Sequence, residues 1–207
     1  MSPLDPLLPS PAGGRSDDRG RVGLAALSTV AAMTLRSVPC SQLALKVGRP
    51  TEVVTSIVTR LQPRASERSI KLSLAAVGRG STTFDSGLFG QTIWNLVDNA
   101  IRFTPEGGEV DISLEMSGKE MVVAVEDSGR GLGVDDANVV FERFCRADSA
   151  RTHDSGAGGT GLGLAIVGAV AEAHGGVATA ENRVEGGARF TLRFPSLPEI
   201  PNEGVVE

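Results

Sequence analysis

The segment Gly159-Thr160-Gly161-Leu162-Gly163-Leu164 constrains this chain most, because alternating glycines feed directly into an apolar helical run. Bare backbone N–H groups at a helix N-terminus, with its partial positive charge, form a site for anionic oxygens. Two earlier segments belong with it: Asn95-Leu96-Val97-Asp98-Asn99 and Asp127-Ser128-Gly129-Arg130-Gly131. Each is weak alone. Their order along one chain is what carries information.

Composition sets the frame. At 207 residues, 41% of them apolar and 22% charged, the chain is long enough for one domain with a real core. A formal charge of −5 argues against a nucleic-acid-binding surface, which would normally show a basic stripe. Cys40 and Cys145 lie far apart without CxxC spacing, so neither a zinc site nor a disulfide framework is indicated, and a reducing cytoplasm fits. The apolar stretch Val22–Leu35 is shorter than the ~20 residues a membrane span needs and is diluted by Gly23, Ser28, Thr29 and Thr34, so no direct span is expected. Asp17 and Asp18 also spoil a signal-peptide reading.

Residues 1–42 begin with Pro3, Pro6, Pro9 and Pro11 and are expected to be irregular. A domain follows over 43–195, with 196–207 as a flexible tail. Leu43–Val47 alternates like a strand. A helix starts at Thr51, with Val53, Val54, Ile57, Val58 and Leu61 on one face, and Pro63 is expected to kink or tighten its end. Ile70, Leu72 and Leu74 alternate as a second strand. Ser86–Phe103 predicts a strong helix, followed by strands at Val110–Leu114 and Met121–Glu126 joined through Ser117-Gly118-Lys119. Residues 128–158 are glycine-rich and read as a functional lid. A helix over Leu162–His174 ends at Gly175-Gly176, and strands Val177–Ala180 and Arg189–Phe194 meet through Glu185-Gly186-Gly187. This order predicts an α/β (α+β) two-layer sandwich, a mixed sheet with helices on one face.

On the Ser86–Phe103 helix, Asn95, Asn99 and Arg102 project from one face, opposite the apolar one. A carboxamide oxygen is a hard ligand suited to Mg²⁺, and Arg102 is placed to meet a phosphate. Taken by itself, the same helix is an ordinary amphipathic one with a solvated polar face. Asp127 stands at the carboxyl end of a strand, a common ligand position in open sheets, where a carboxylate accepts from an exocyclic amine. Gly129 and Gly131 would let backbone approach a ring. That fragment alone is also a plain aspartate-glycine turn. A dinucleotide-binding reading of Gly159, Gly161 and Gly163 fails because no strand leads into the turn, and a P-loop is excluded by the lack of Gly-Lys-Ser/Thr.

Taken together these segments resemble the ATP-binding catalytic domain of bacterial sensor histidine kinases. Asn95-Leu96-Val97-Asp98-Asn99-Ala100-Ile101-Arg102-Phe103-Thr104-Pro105 is similar to that family's N box, Asp127–Gly131 to its first glycine box, Phe141-Glu142-Arg143-Phe144 to its F box and Gly159–Leu164 to its second glycine box. His174-Gly175-Gly176 and Gly187-Ala188-Arg189-Phe190 also fit. The resemblance implies a Bergerat fold with ATP and Mg²⁺ as cofactors. It implies Asp127 on adenine, Asn99 on the metal, and Asn95 and Arg102 at the phosphates. Gly129, Gly131, Phe141, Arg143, Gly159, Thr160, Gly161, Leu162 and Gly163 would line the nucleotide, with 141–158 a mobile lid. Related ATPases and anti-sigma-type serine kinases carry glutamate four residues before the metal asparagine; here Asn95 stands there and takes no proton at neutral pH. That favours histidine kinase over hydrolase or serine kinase.

Histidine kinases carry the acceptor histidine on a helical hairpin before this domain. The two histidines of this chain, His153 and His174, lie elsewhere, the first in the lid and the second at a helix end, and neither sits in a helix-borne His-Glu pair. Residues 22–42 are expected to be what remains of such a hairpin or what replaces it. The expectation is half of a split kinase, cytoplasmic or membrane-associated through a partner, that phosphorylates a histidine-bearing dimerisation protein, with Arg102 and one of the lid residues Arg143, Arg146 or Arg151 neutralising charge, and acts on a response regulator indirectly. A non-catalytic ATP-binding regulatory module and a truncated kinase fragment stay open as alternatives.

Overall fold

The computed structural model describes residues 44–78, 81–117, 119–133, 137–142 and 162–195. The expectations for 1–42, for Val22–Leu35 and for 196–207 lie outside these residues, as does most of the lid.

Three helices and seven strands make up the described fold: β1 (Lys46–Gly48), α1 (Pro50–Glu67), β2 (Lys71–Val77), β3 (Thr82–Phe84), α2 (Ser86–Phe103), β4 (Glu109–Met116), β5 (Glu120–Asp127), α3 (Gly163–Ala173), β6 (Val177–Asn182) and β7 (Ala188–Pro195). A 3₁₀ turn, Ala137–Phe141, precedes α3. The main sheet has the order β2-β4-β5-β7-β6; β2 and β4 run parallel and the other neighbours antiparallel. β1 and β3 form a separate antiparallel pair.

Strand periodicity sorts the two faces of the sheet. Val110, Ile112 and Leu114 of β4, Met121, Val123 and Val125 of β5, and Ala188, Phe190, Leu192 and Phe194 of β7 alternate into one core with the helices. The opposite face is polar. Ser73, Asp111, Glu126, Arg189 and Glu181 fall in one register row across five strands, linked by Ser73–Asp111, Arg189–Glu126 and Arg189–Glu181 contacts. The expected mixed sheet with helices on one face is the architecture found.

α2 spans the predicted residues. The Asp85 side chain caps it by accepting from the N–H groups of Gly87 and Leu88 at 3.0 Å each. Its buried face carries Phe89, Ile93, Leu96, Val97, Ala100 and Ile101 at helical spacing. Its C-terminal carbonyls are met by Arg68, which donates to Ile101 O, to Arg102 O at 3.1 Å and to Thr104 O at 3.0 Å. α1 departs from expectation: it continues four residues past Pro63, to Glu67. Pro63 lies on the exposed side, where the carbonyl left without a donor is open to solvent, while buried Leu61 and Ala65 hold the helix to the core across it. Short β3 was not foreseen. Its Phe84 is buried and packs edge-on against Phe89, ring centroids 5.1 Å apart. Among the described residues, no helix is long and apolar enough to cross a membrane.

Candidate functional site

α2 is the element on which the sequence motifs converge. At its C-terminal end the Gly129 turn packs so closely that a Cβ there would stand 2.6 Å from the carbonyl oxygen of Phe103. Nearer its middle, Asn95 donates through Nδ2 to the carbonyl of Gly163, the first residue of α3, at 3.3 Å. Asn99 follows one turn later, half-buried, and Arg102 one turn beyond that. The guanidinium groups of Arg102 and Arg130 lie 5.4 Å and 4.8 Å from the Phe103 ring centroid, putting two cations beside the Gly129 turn.

Asp127 ends β5 and is only 4% exposed. Its Oδ1 accepts from the N–H of Gly129 at 2.8 Å and of Ala188 at 3.3 Å. Among the described residues, both hydrogen bonds to this carboxylate end on Oδ1. Burial pushes its pKa above the ordinary 3.8; the N–H groups of Gly129 and Ala188 and the charge of Arg183 work against that rise. A buried acceptor at a strand end, bonded by amides rather than by a cationic side chain, suits an uncharged donor such as an exocyclic amine. Among the described residues no three His, Cys, Asp or Glu gather as a metal cluster. A divalent ion here would therefore depend on a carboxamide such as Asn99 together with oxygens of a phosphate ligand and water, the usual habit of Mg²⁺.

The structure gives several predicted residues a different local reason. Gly129 and Gly131 face protein atoms: a Cβ on Gly131 would sit 2.5 Å from Oδ1 of Asn182, and its φ of +78° favours glycine independently. Their glycine identity is required by packing within the domain. Phe141, in the 3₁₀ turn, is half-buried against Phe190, with ring centroids 6.4 Å apart, and its Cβ faces Gly168 on α3. Leu162 is buried at the start of α3. Arg143, Arg146, Arg151, His153, Gly159, Thr160 and Gly161 lie outside the described residues. His174 caps α3: its Nδ1 lies 2.8 Å from Val170 O, and its Nε2 accepts from the Asp85 N–H at 3.1 Å, so both ring nitrogens are committed.

Sequence reasoning placed the turn between β6 and β7 but missed its contacts with the Asp127 loop. Arg183 donates through Nη1 to the backbone carbonyl of Asp127 at 3.0 Å, and Asn182 accepts from the Leu132 N–H at 2.8 Å. Gly187, at φ +89°, packs so tightly that any Cβ would overlap the Asp127 carbonyl oxygen. The available signal was the Gly186-Gly187 pair, read only as a turn.

Comparison with known proteins adds independent evidence. Residues 84–198 match the family model described as histidine kinase-, DNA gyrase B-, and HSP90-like ATPase. Over 147 residues the chain is 40% identical to the sensor-like histidine kinase SenX3 of Mycolicibacterium smegmatis, covering 71% of this chain and 38% of that protein. It is 35% identical over 157 residues to the hybrid signal transduction histidine kinase D of Dictyostelium discoideum, covering 72% of this chain and 10% of that one. The chain thus spans well under half the length of these curated relatives. Among solved structures, the mycobacterial sensor histidine kinase MprB aligns with a TM-score of 0.63 at 28% identity, over 75% of this chain and 99% of that one. Full-length ShkA, in complex with AMPPNP, aligns with a TM-score of 0.71 at 25% identity, over 87% of this chain and 38% of that one.

Proposed function

The chain belongs to the family of histidine kinase-, DNA gyrase B-, and HSP90-like ATPases, and on that premise we propose that it is the ATP-binding catalytic part of a two-component sensor histidine kinase, directing the γ-phosphate of ATP to a histidine on a partner chain. The observation that carries this reading is the 4% exposed carboxylate of Asp127, held at a strand end beside the helix that bears Asn95, Asn99 and Arg102. When bound, Mg-ATP supplies the phosphoryl group and the metal charge that screens it.

The residues of the chain divide the remaining work. Asp127 accepts from the adenine amine and so separates adenine from guanine, with Gly129 and Gly131 shaping the loop behind it. Asn99 offers its carboxamide oxygen to Mg²⁺. Arg102 lies toward the phosphates, while Asn95 positions the start of α3, where Leu162 and Gly163 follow the glycine segment Gly159-Thr160-Gly161. Phe141 and Arg143 belong to the lid side. Because Asn95 takes no proton, the base is supplied by the acceptor. This separates the chain from the hydrolytic members of its family. The commitment of both His174 nitrogens to Asp85 N and Val170 O argues against His174 as the acceptor. The acceptor is a histidine-bearing dimerisation protein, a response regulator receives the phosphoryl group in turn, and the site works in the cytoplasm.

Incubation with radiolabelled ATP and a histidine-hairpin partner should label the partner and leave this chain unlabelled. Robust self-labelling contradicts transfer in trans. Nucleotide binding without transfer to any hairpin would instead identify a regulatory ATP-binding module.

A further inference from the structure

We propose that Asn182 and Arg183, at the turn between β6 and β7, are positioning residues that hold the adenine-reading loop Asp127–Leu132 in its binding geometry without touching the nucleotide. The inference rests on the reading of Asp127 as the adenine contact and extends it to a second layer of side chains more than fifty residues away in sequence.

The turn grips the loop at both ends. At Asp127, Arg183 Nη1 donates to the main-chain carbonyl at 3.0 Å while the Ala188 N–H reaches carboxylate Oδ1 at 3.3 Å. Backbone and side chain of the same residue are therefore fixed from one direction. At the far end, Asn182 Oδ1 accepts from the Leu132 N–H at 2.8 Å. Gly187 closes against the Asp127 carbonyl with no room for a side chain. The turn is rigid in its own right: Arg183 N donates to Gly187 O at 3.0 Å and Gly186 N to Arg183 O at 3.1 Å.

Arg183 is itself held. Its Nε lies 3.3 Å from Glu126 and its Nη2 3.3 Å from Glu185, and its side chain is 23% exposed. A guanidinium offers several donors in one plane, so it can bond a carbonyl and two carboxylates together, which an ammonium cannot reproduce in the same geometry. Its charge also favours the ionised form of Asp127 against the effect of burial. A carboxylate is the stronger acceptor for an adenine amine. Arg183 thus fixes where the acceptor stands and helps keep it charged.

Calorimetric titration with Mg-ADP and Mg-IDP tests this, because IDP carries an oxo group where ADP carries the amine. Arg183→Met should weaken ADP binding about tenfold, the typical loss of one hydrogen bond involving a charged group, and leave IDP binding nearly unchanged. The acid limb of ADP binding should move to higher pH, since removing Arg183 removes an influence that lowers the Asp127 pKa. Arg183→Lys should restore the pH profile more fully than the affinity. In Asn182→Ala, hydrogen exchange at the Leu132 amide should accelerate and ADP affinity should fall. Asp127→Asn separates the two readings. If it keeps ADP affinity and selectivity, the adenine reading itself is wrong. If it loses them while Arg183→Met and Asn182→Ala keep wild-type affinity, selectivity and pH profile, the positioning role alone is overturned. Should Arg183→Met fail to fold by circular dichroism, the Arg183→Lys profile and the Leu132 exchange rate decide the matter.

Discussion

Asn95 on α2 and Gly163 at the start of α3 are joined by a hydrogen bond of 3.3 Å from carboxamide to carbonyl. The residue proposed to set this chain apart from hydrolytic members of the family is thus also a strut between two helices. A glutamate there has no proton to donate at neutral pH, and its charge would face the Gly163 carbonyl oxygen.

Asn95→Glu is expected to break that strut and install a base at once. Nucleotide affinity should fall, and phosphate release from ATP should rise above that of the unmodified chain. Asn95→Ala should lose the strut alone, costing about 1 kcal/mol of stability with no gain in phosphate release. A coupled phosphate-release assay beside thermal melts separates the two.

Gly187 and Gly186 make a second, internally controlled pair. Both have φ near +90°, at +89° and +95°, but a Cβ at Gly187 would overlap the Asp127 carbonyl, while at Gly186 nothing lies within 4 Å. Gly186→Ala should cost only the left-handed strain, about 1 kcal/mol. Gly187→Ala must also push β7 away from β5 and should cost about 3 kcal/mol or more in urea denaturation, with loss of nucleotide binding.

Arg68 should prove a stability determinant of the helix carrying the site. It meets three carbonyls at the C-terminus of α2, those of Ile101, Arg102 and Thr104. Arg68→Met is expected to cost about 2 kcal/mol, since several carbonyls lose a charged donor at the negative end of the helix dipole. Amide exchange should accelerate first around Phe103 and Thr104, and nucleotide affinity should fall with it.

The elements most legible in the sequence are those whose information is local. α2 was readable over Ser86–Phe103 because its apolar residues recur at helical spacing. The alternating strands β4, β5 and β7 were readable for the corresponding reason. β3 was not, because three residues carry too little periodicity and its partner β1 lies more than thirty residues earlier. Pro63 was expected to kink or tighten the end of α1, but the helix runs on to Glu67 because buried Leu61 and Ala65 hold it through tertiary contact. Asp127 and Asn95 stood out only as members of a set of resembling motifs, since each fragment alone also reads as an ordinary turn or polar helix face. Arg183 and Asn182 did not, because their role exists only once the β5–β7–β6 register brings the turn beside Asp127. The glycines at 129 and 131 were legible as necessary, but the cause is packing against Phe103 and Asn182.

Asp127 should trade stability for function. Burial raises its folded pKa above the ordinary 3.8. Between 3.8 and that raised value the native state binds more protons than the unfolded chain, so this group's contribution to stability falls as pH rises through the window and stays unfavourable above it. An asparagine keeps an acceptor oxygen for the N–H groups of Gly129 and Ala188 but carries no charge to bury. Asp127→Asn should therefore match or exceed the wild-type melting temperature at pH 7, with the difference shrinking as pH falls through the window. The same variant should bind Mg-ADP more weakly at pH 7 and discriminate less between ADP and IDP. A variant that is markedly less stable at pH 7 would mean that the carboxylate is held chiefly by charge, with Arg183 outweighing the cost of burial.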